Sequence, residues 1–184
     1  NRLGYPVVLK AQSPTLVHKS DAGGVKVGLA DDDAVGAAWD AITASLASHG
    51  FHDMAGCVVA EMASGVAEMI VGARFDPAFG PLIVIGFGGV LVEVVEDVQV
   101  ALAPISPDYA LTMIKRLKLW PLLDGARGRP LADVTAVAEA ASRVSHLAAS
   151  LGERLTELDV NPLIVGAAGD GAKAVDGRAT LNKG

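Results

Sequence analysis

The sequence predicts an α+β fold on a mostly antiparallel sheet with flanking helices. Three observations lead there. Short, β-rich apolar segments fill the first half and are joined by Gly, Pro and Asp turns. The second half becomes helical before strands return at the end. The regular strand–helix alternation of a doubly wound parallel fold is absent.

Residues 7–10 and 24–28 read as short strands. Residues 31–48 read as a helix, because Val35, Ala38, Trp39, Ile42 and Leu46 recur at helical spacing. Asp31, Asp32 and Asp33 supply its N-cap and an acidic first turn, and Gly50 a stop. Residues 57–62, 67–75, 82–87, 91–95 and 98–102 follow as successive strands. Residues 107–116 form a helix, and 131–151 a long amphipathic one marked by Val134, Val137, Ala141, Val144, Leu147 and Leu151. Between them, residues 123–130 (LDGARGRP) are a polar loop. Strands at 157–165 and 173–176 finish the chain around a Gly/Ala turn at 166–171.

With 184 residues, 51% hydrophobic and 20% charged, the chain can bury a core as one domain or two small lobes. No segment reaches the roughly 18 uninterrupted apolar residues of a membrane span, and residues 1–4 lack a secretory pattern. The single cysteine, Cys57, excludes an internal disulfide and fits a reducing, cytoplasmic setting. Its apolar neighbours mark an inert thiol. A net charge of −6 and 4% aromatic residues argue against a nucleic-acid partner. An acidic protein that binds a polyanion must gather its few cations in the site, which gives weight to Lys10, Lys19 and Lys26.

Three patches carry chemistry. In GYPVVLKAQSPTLVHKSDAGGVKVGL (4–29) a strand runs into Lys10, and a polar loop carries His18, Lys19, Ser20 and Asp21 before Gly23 and Gly24 open the next strand. A lysine at a strand end holds phosphate as a point charge, and glycines let backbone N–H groups approach it. In VVAEMASGVAEMIVG (58–72) a strand ends at Glu61 and Met62, and a small-residue linker leads to a strand bearing Glu68. Such a hinge offers main-chain groups for a base and a carboxylate for ribose. In ELDVNPLIV (157–165), strand alternation puts Glu157, Asp159 and Asn161 on one face and Leu158, Val160 and Pro162 on the other. Oxygen ligands in a row suit a hard cation such as Mg²⁺. Asp176 can reach Asn161 if the last two strands pair. Glu93 and Asp97 are further carboxylates able to approach this region. His49, His52 and His146 have no partner motif and read as structural or surface residues.

Taken in order, GYPVVLK, HKSDAGGVKVGL, E-M…G…E, DPAFGP…GFGG…VE…D and ELDVNPL…VDGR resemble the ATP-grasp fold. More narrowly, the chain is similar to the ATP-binding β part of ADP-forming acyl-CoA synthetases, relatives of succinyl-CoA synthetase. The resemblance implies that Lys10 contacts ATP phosphates and that His18, Lys19, Ser20, Gly23 and Gly24 cover them. It implies that Glu61 and Met62 read adenine, that Glu68 holds the ribose, and that Asn161 and Asp176 bind Mg²⁺ with Asp159 nearby. His18 matches the family's phosphohistidine, which passes phosphate between ATP or ADP and a histidine on a CoA-binding α part. That part lies in the same chain or a separate subunit, and it would bring the small-molecule acid and CoA. The implied whole is an oligomeric acid–CoA ligase with no nucleic-acid or membrane partner.

Family members begin before GYPVVLK, so these residues are expected to be a fragment with the N-terminal lobe truncated. The expected division is a nucleotide-covering lobe at 1–60 and a core lobe with hinge and metal site at 61–184. One departure matters. Where the family usually has an arginine ahead of Pro104, this chain has Ala101. A missing phosphate-facing charge would fit a second reading, a non-catalytic regulatory module fused to a protein acetyltransferase.

Overall fold

The computed structural model describes residues 3–16, 19–89 and 96–182. Val17, His18, the strand expected at 91–95 and Glu93 lie outside them. The chain divides into two compact units, Asn1–Met62 and Ala63–Gly184.

The first unit is a three-stranded antiparallel sheet in the order β2-β1-β3, with β1 at Val7–Gln12, β2 at Val25–Leu29 and β3 at Gly56–Glu61. The central strand earns its place by burial, since Val7, Val8, Leu9 and Ala11 are all buried. Helix α1 (Asp32–Ser48) packs Ala38, Ile42 and Leu46 into a cluster with Leu9 and Ala11. Asp31 caps it as expected, its Oδ1 accepting from the Ala34 N–H at 2.8 Å.

The second unit is a six-stranded antiparallel sheet. Its strands are β4 (Ala67–Asp76), β5 (Gly80–Phe87), β6 (Val98–Leu102), β7 (Leu155–Val165), β8 (Ala172–Ala174) and β9 (Gly177–Leu181). The order is β6-β5-β4-β7-β8, with β9 also paired to β7. Helices α2 (Pro107–Lys115), α3 (Trp120–Leu123) and α4 (Val134–Leu151) complete it. Met69, Val71, Ala73, Ile83, Ile85, Phe87, Leu163 and Val165 point from the sheet into one core with Ala110, Met113 and Ile114 of α2 and Val137, Ala138 and Ala141 of α4. Two buried serines of α4 satisfy the backbone of Ile105: Ser142 Oγ donates to its carbonyl at 2.8 Å, and Ser145 Oγ accepts from its N–H at 2.9 Å.

Pairing partners share a face. The face away from the helices therefore carries Glu68, Ile70, Gly72 and Arg74 on β4, Leu82 and Val84 on β5, and Val98, Val100 and Leu102 on β6. On β7 and β9 it carries Glu157, Asp159 and Arg178.

Three expectations change. The long helix starts at Val134, not 131, because Asp133 is its N-cap, with Oδ1 accepting from Ala136 N–H at 3.1 Å. Residues 131 and 132 are held outside the helix instead: Ala132 N–H donates to Leu123 O and Ala168 N–H to Leu131 O. Three strands, not two, end the chain, and Asp176 sits in the bend between β8 and β9 rather than on a strand. Finally, alternation along β7 breaks at Asn161-Pro162. Val71 pairs with Val160 but Met69 with Leu163, so one extra residue is accommodated there. Leu163 and Val165, not Pro162 and Ile164, continue the buried side.

Candidate functional site

The residues singled out in the sequence fall into two sets, one in each unit. In the first unit, Lys10 lies between Val25 of β2 and Val58 of β3, on the sheet face opposite Leu9 and α1. Glu61 pairs with Val7, so its side chain belongs to the other face. At this end of β3, Met62 is 40% exposed.

The Lys19–Gly24 segment is a built turn. Gly23 N–H donates to Ser20 O at 3.0 Å and Gly24 N–H to Lys19 O at 2.7 Å. Both glycines are needed for shape. Gly23 has φ +69°, and a Cβ at Gly24 would lie 2.9 Å from Lys19 O. Their amides are thus engaged inside the turn. Ser20 is exposed and Lys19 half-buried on this turn. His18 lies outside the described residues.

The start of the same loop is anchored by a residue the sequence reading missed. Asp53 accepts from Ser13 Oγ at 2.7 Å and Thr15 Oγ1 at 2.8 Å. These hydroxyls hold its carboxyl below the usual carboxylate range. No local pattern reveals a partner some forty positions away.

In the second unit, Asp159 is the centre. It is half-buried on β7, opposite Gly72 of β4 and Arg178 of β9. Burial raises its pKa above the ordinary value, the charges of Glu157 and Asp176 raise it further, and Arg178 offsets part of this. Glycine at 72 leaves the space above Asp159 open. Asn161 sits at the bulge and is tied to Asp176 through the backbone, its N–H donating to Asp176 O at 3.2 Å. The Asp176 carboxylate accepts from Gly177 N–H at 2.9 Å. Asn161 and Asp176 thus meet through their backbones, and the Asp176 charge reaches Asp159.

This set fits a divalent cation. Glu157 and Asp176 add negative charge beside the half-buried Asp159, an excess that a cation would relieve. Among the described residues no three His, Cys, Asp or Glu side chains converge tightly enough to hold a metal alone. Mg²⁺ asks for less, one or two carboxylates with waters and phosphate oxygens.

Glu68 lies on the same sheet face, with its carbonyl accepting from Gly88 N–H at 2.8 Å and its Oε2 against Gly89. Beside it a cleft of about 400 Å³ is lined by Ser64, Gly65, Val66, Ile164, Asp170 and Lys173 among others. Arg129, from the loop at 123–130, donates Nη2 to Val66 O at 2.9 Å and fixes the start of β4.

Two candidates leave the site. Asp97 is buried, and its two oxygens accept from the Lys118 and Leu119 amides at 2.8 and 2.7 Å, a structural role. Ala101 packs against the helix-covered core. A side chain at 101 does not stand on the face of Asp159, so its being alanine removes no charge from there.

A family model for the ATP-grasp domain matches residues 1–181. The β subunit of acetate–CoA ligase (ADP-forming) I from Pyrococcus furiosus is 40% identical over 180 residues, which is 97% of this chain and 76% of that subunit. The chain belongs to the ATP-grasp family of ADP-forming acid–CoA ligases. The 4-hydroxybutyrate–CoA ligase (ADP-forming) of Nitrosopumilus maritimus is also 40% identical, over 181 residues. This ATP-grasp chain covers 98% of itself in that match but only 26% of the longer ligase. Among solved structures, Ca. Korarchaeum cryptofilum acetyl-coenzyme A synthetase 1 with coenzyme A and Ca-AMPCP aligns with a TM-score of 0.90 and 40% identity, over 98% of this chain and 78% of that one. Another complex of the same protein holds coenzyme A and Mg-AMPPCP, with its phosphohistidine segment pointing towards the nucleotide binding site. It aligns with a TM-score of 0.81 and 38% identity, over 98% and 78% of the two chains.

Proposed function

We propose that this domain is the ATP-binding, phosphate-relaying part of an ADP-forming acid–CoA ligase, which interconverts acyl-CoA, ADP and phosphate with acid, CoA and ATP. The observation that carries this is the oxygen-bearing set Asp159, Asn161 and Asp176 in a chain 40% identical to an acetate–CoA ligase β subunit over 97% of its length. Mg²⁺, held by Asn161 and Asp176 with Asp159, would neutralise the phosphate chain when bound.

The chain's own residues do the rest. Lys10 and Lys19 attract the phosphates, the hinge at Glu61 and Met62 offers main-chain groups to adenine, and Glu68 receives the ribose hydroxyls. The Ser20–Gly24 turn gives the covering loop a fixed base. A neutral His18 ring nitrogen attacks the γ-phosphorus, the bond to the β–γ bridging oxygen breaks, and ADP leaves. The phosphohistidine then passes its phosphoryl group to a histidine of the CoA-binding partner part, and in the other direction accepts it from there. Imidazole suits both directions because its ordinary pKa, near 6.5, leaves it mostly neutral at pH 7.

Ala101, which left the regulatory reading open, packs on the core side of the sheet and not on the face of Asp159. The domain's ATP-binding role is tested by calorimetry on the full-length protein: Mg²⁺-dependent ATP binding is expected in wild type and lost in Asp159→Asn. Equal binding with and without Mg²⁺ in both would contradict it.

A further inference from the structure

We propose that Arg178 grips the phosphate chain of the nucleotide, an assignment that rests on the ATP-binding reading above. Ala101 leaves β6, at one edge of the sheet, without a cation, and the fold supplies one at the other edge, on β9. β9 sets Arg178 directly across from Asp159 in an antiparallel pair, so the two side chains share the face away from the helices. β9 is bonded to β7 alone among the described strands, leaving one flank of Arg178 without a neighbouring strand. The residue is exposed, and it makes no ion pair within 4.0 Å among the described residues. Its charge acts on Asp159 across the pair.

That arrangement is suited to exchange. While Asp159 is bare, Arg178 balances part of the negative charge of Glu157, Asp159 and Asp176. A divalent ion on Asp159 cancels that pull, and the guanidinium then faces phosphate oxygens that arrive with the metal. Its planar fork can take two oxygens at once, which a lysine ammonium cannot. Arg74 stands across from Glu157, two residues along β7 from Asp159, whereas Arg178 stands directly across from Asp159. This leaves Arg178 as the cation beside the metal ligand.

The test is calorimetry on the full-length protein with Mg²⁺, using ATP and adenosine as the two probes. Arg178→Gln is expected to weaken ATP about tenfold or more, the loss typical of a hydrogen bond to a charged group. Adenosine affinity should stay unchanged, and Arg178→Lys should fall between. ATP affinity equal to wild type in Arg178→Gln overturns the proposal, as does an equal loss for adenosine, which marks a merely structural effect. Should Arg178→Gln fail to fold, Arg178→Lys decides by the same pair of probes. Asp159→Asn separates the levels. If it abolishes Mg²⁺-dependent ATP binding while Arg178→Gln does not weaken it, the ATP reading stands and the Arg178 assignment falls. If wild type binds no ATP, both fall.

Discussion

Asp159 shows how one residue trades stability for a site. Its carboxyl is pushed up by burial and by Glu157 and Asp176. The folded state therefore holds the proton more tightly than the unfolded chain does, and the ionised form at neutral pH costs stability. Asp159→Asn removes that cost while removing a proposed metal ligand. In thermal melts without metal, the variant should unfold at a higher temperature than wild type at pH 7. The gap should close as pH falls through the raised value and vanish below the ordinary carboxylate value, where both states of the wild type are protonated. Asp133 behaves in the opposite sense. It accepts from the amides of Ala136, Gly171 and Gly169, which hold its pKa down. Its contribution is present above the ordinary carboxylate value and is lost as pH falls through the lower folded one. Asp133→Ala should cost about 1–2 kcal/mol in denaturant unfolding at pH 7, the loss of a helix cap.

Among the elements, the strands and helices of each unit were legible because their patterns are local. Leu9 and Ala11 alternate with Lys10, and Ala38, Ile42 and Leu46 recur at helical spacing; both patterns reappear as burial. What was not legible depends on non-local geometry. The break in alternation at Asn161-Pro162 arises from pairing with β4, which no window along β7 contains. The third C-terminal strand was missed because residues 173–176 read as one strand, whereas β8 ends at Ala174 and β9 opens at Gly177. The glycines of the 19–24 turn were found, but the carbonyls that take up their amides lie within the turn itself, a pairing that spacing alone does not show. Gly65 gives an element-level prediction. A Cβ there would meet Val165 O at 2.4 Å and Ile164 Cγ2 at 2.6 Å. Gly65→Ala should force the 63–66 segment off β7 and destabilise the domain by roughly 1–3 kcal/mol, read by chemical denaturation. Gly36→Ala, with nothing within 4 Å and a helical setting, should be neutral or stabilising.

The whole molecule joins five ordered motifs to a fold that sets Glu68, Glu157 and Asp159 on one sheet face. Order along the chain made the family visible before any coordinates. The electrostatics of Asp159 and Arg178 required the register of three strands. The central claim is a phosphate relay through His18, and its most direct measurement is transfer of label. The full-length protein, with its CoA-binding part, is incubated with γ-³²P ATP and Mg²⁺, and acid-labile, base-stable phosphate is followed in wild type and His18→Ala. The relay predicts label on this domain and on its partner in wild type and on neither in the variant, with ATP binding retained. Undiminished label on the partner in His18→Ala would contradict it.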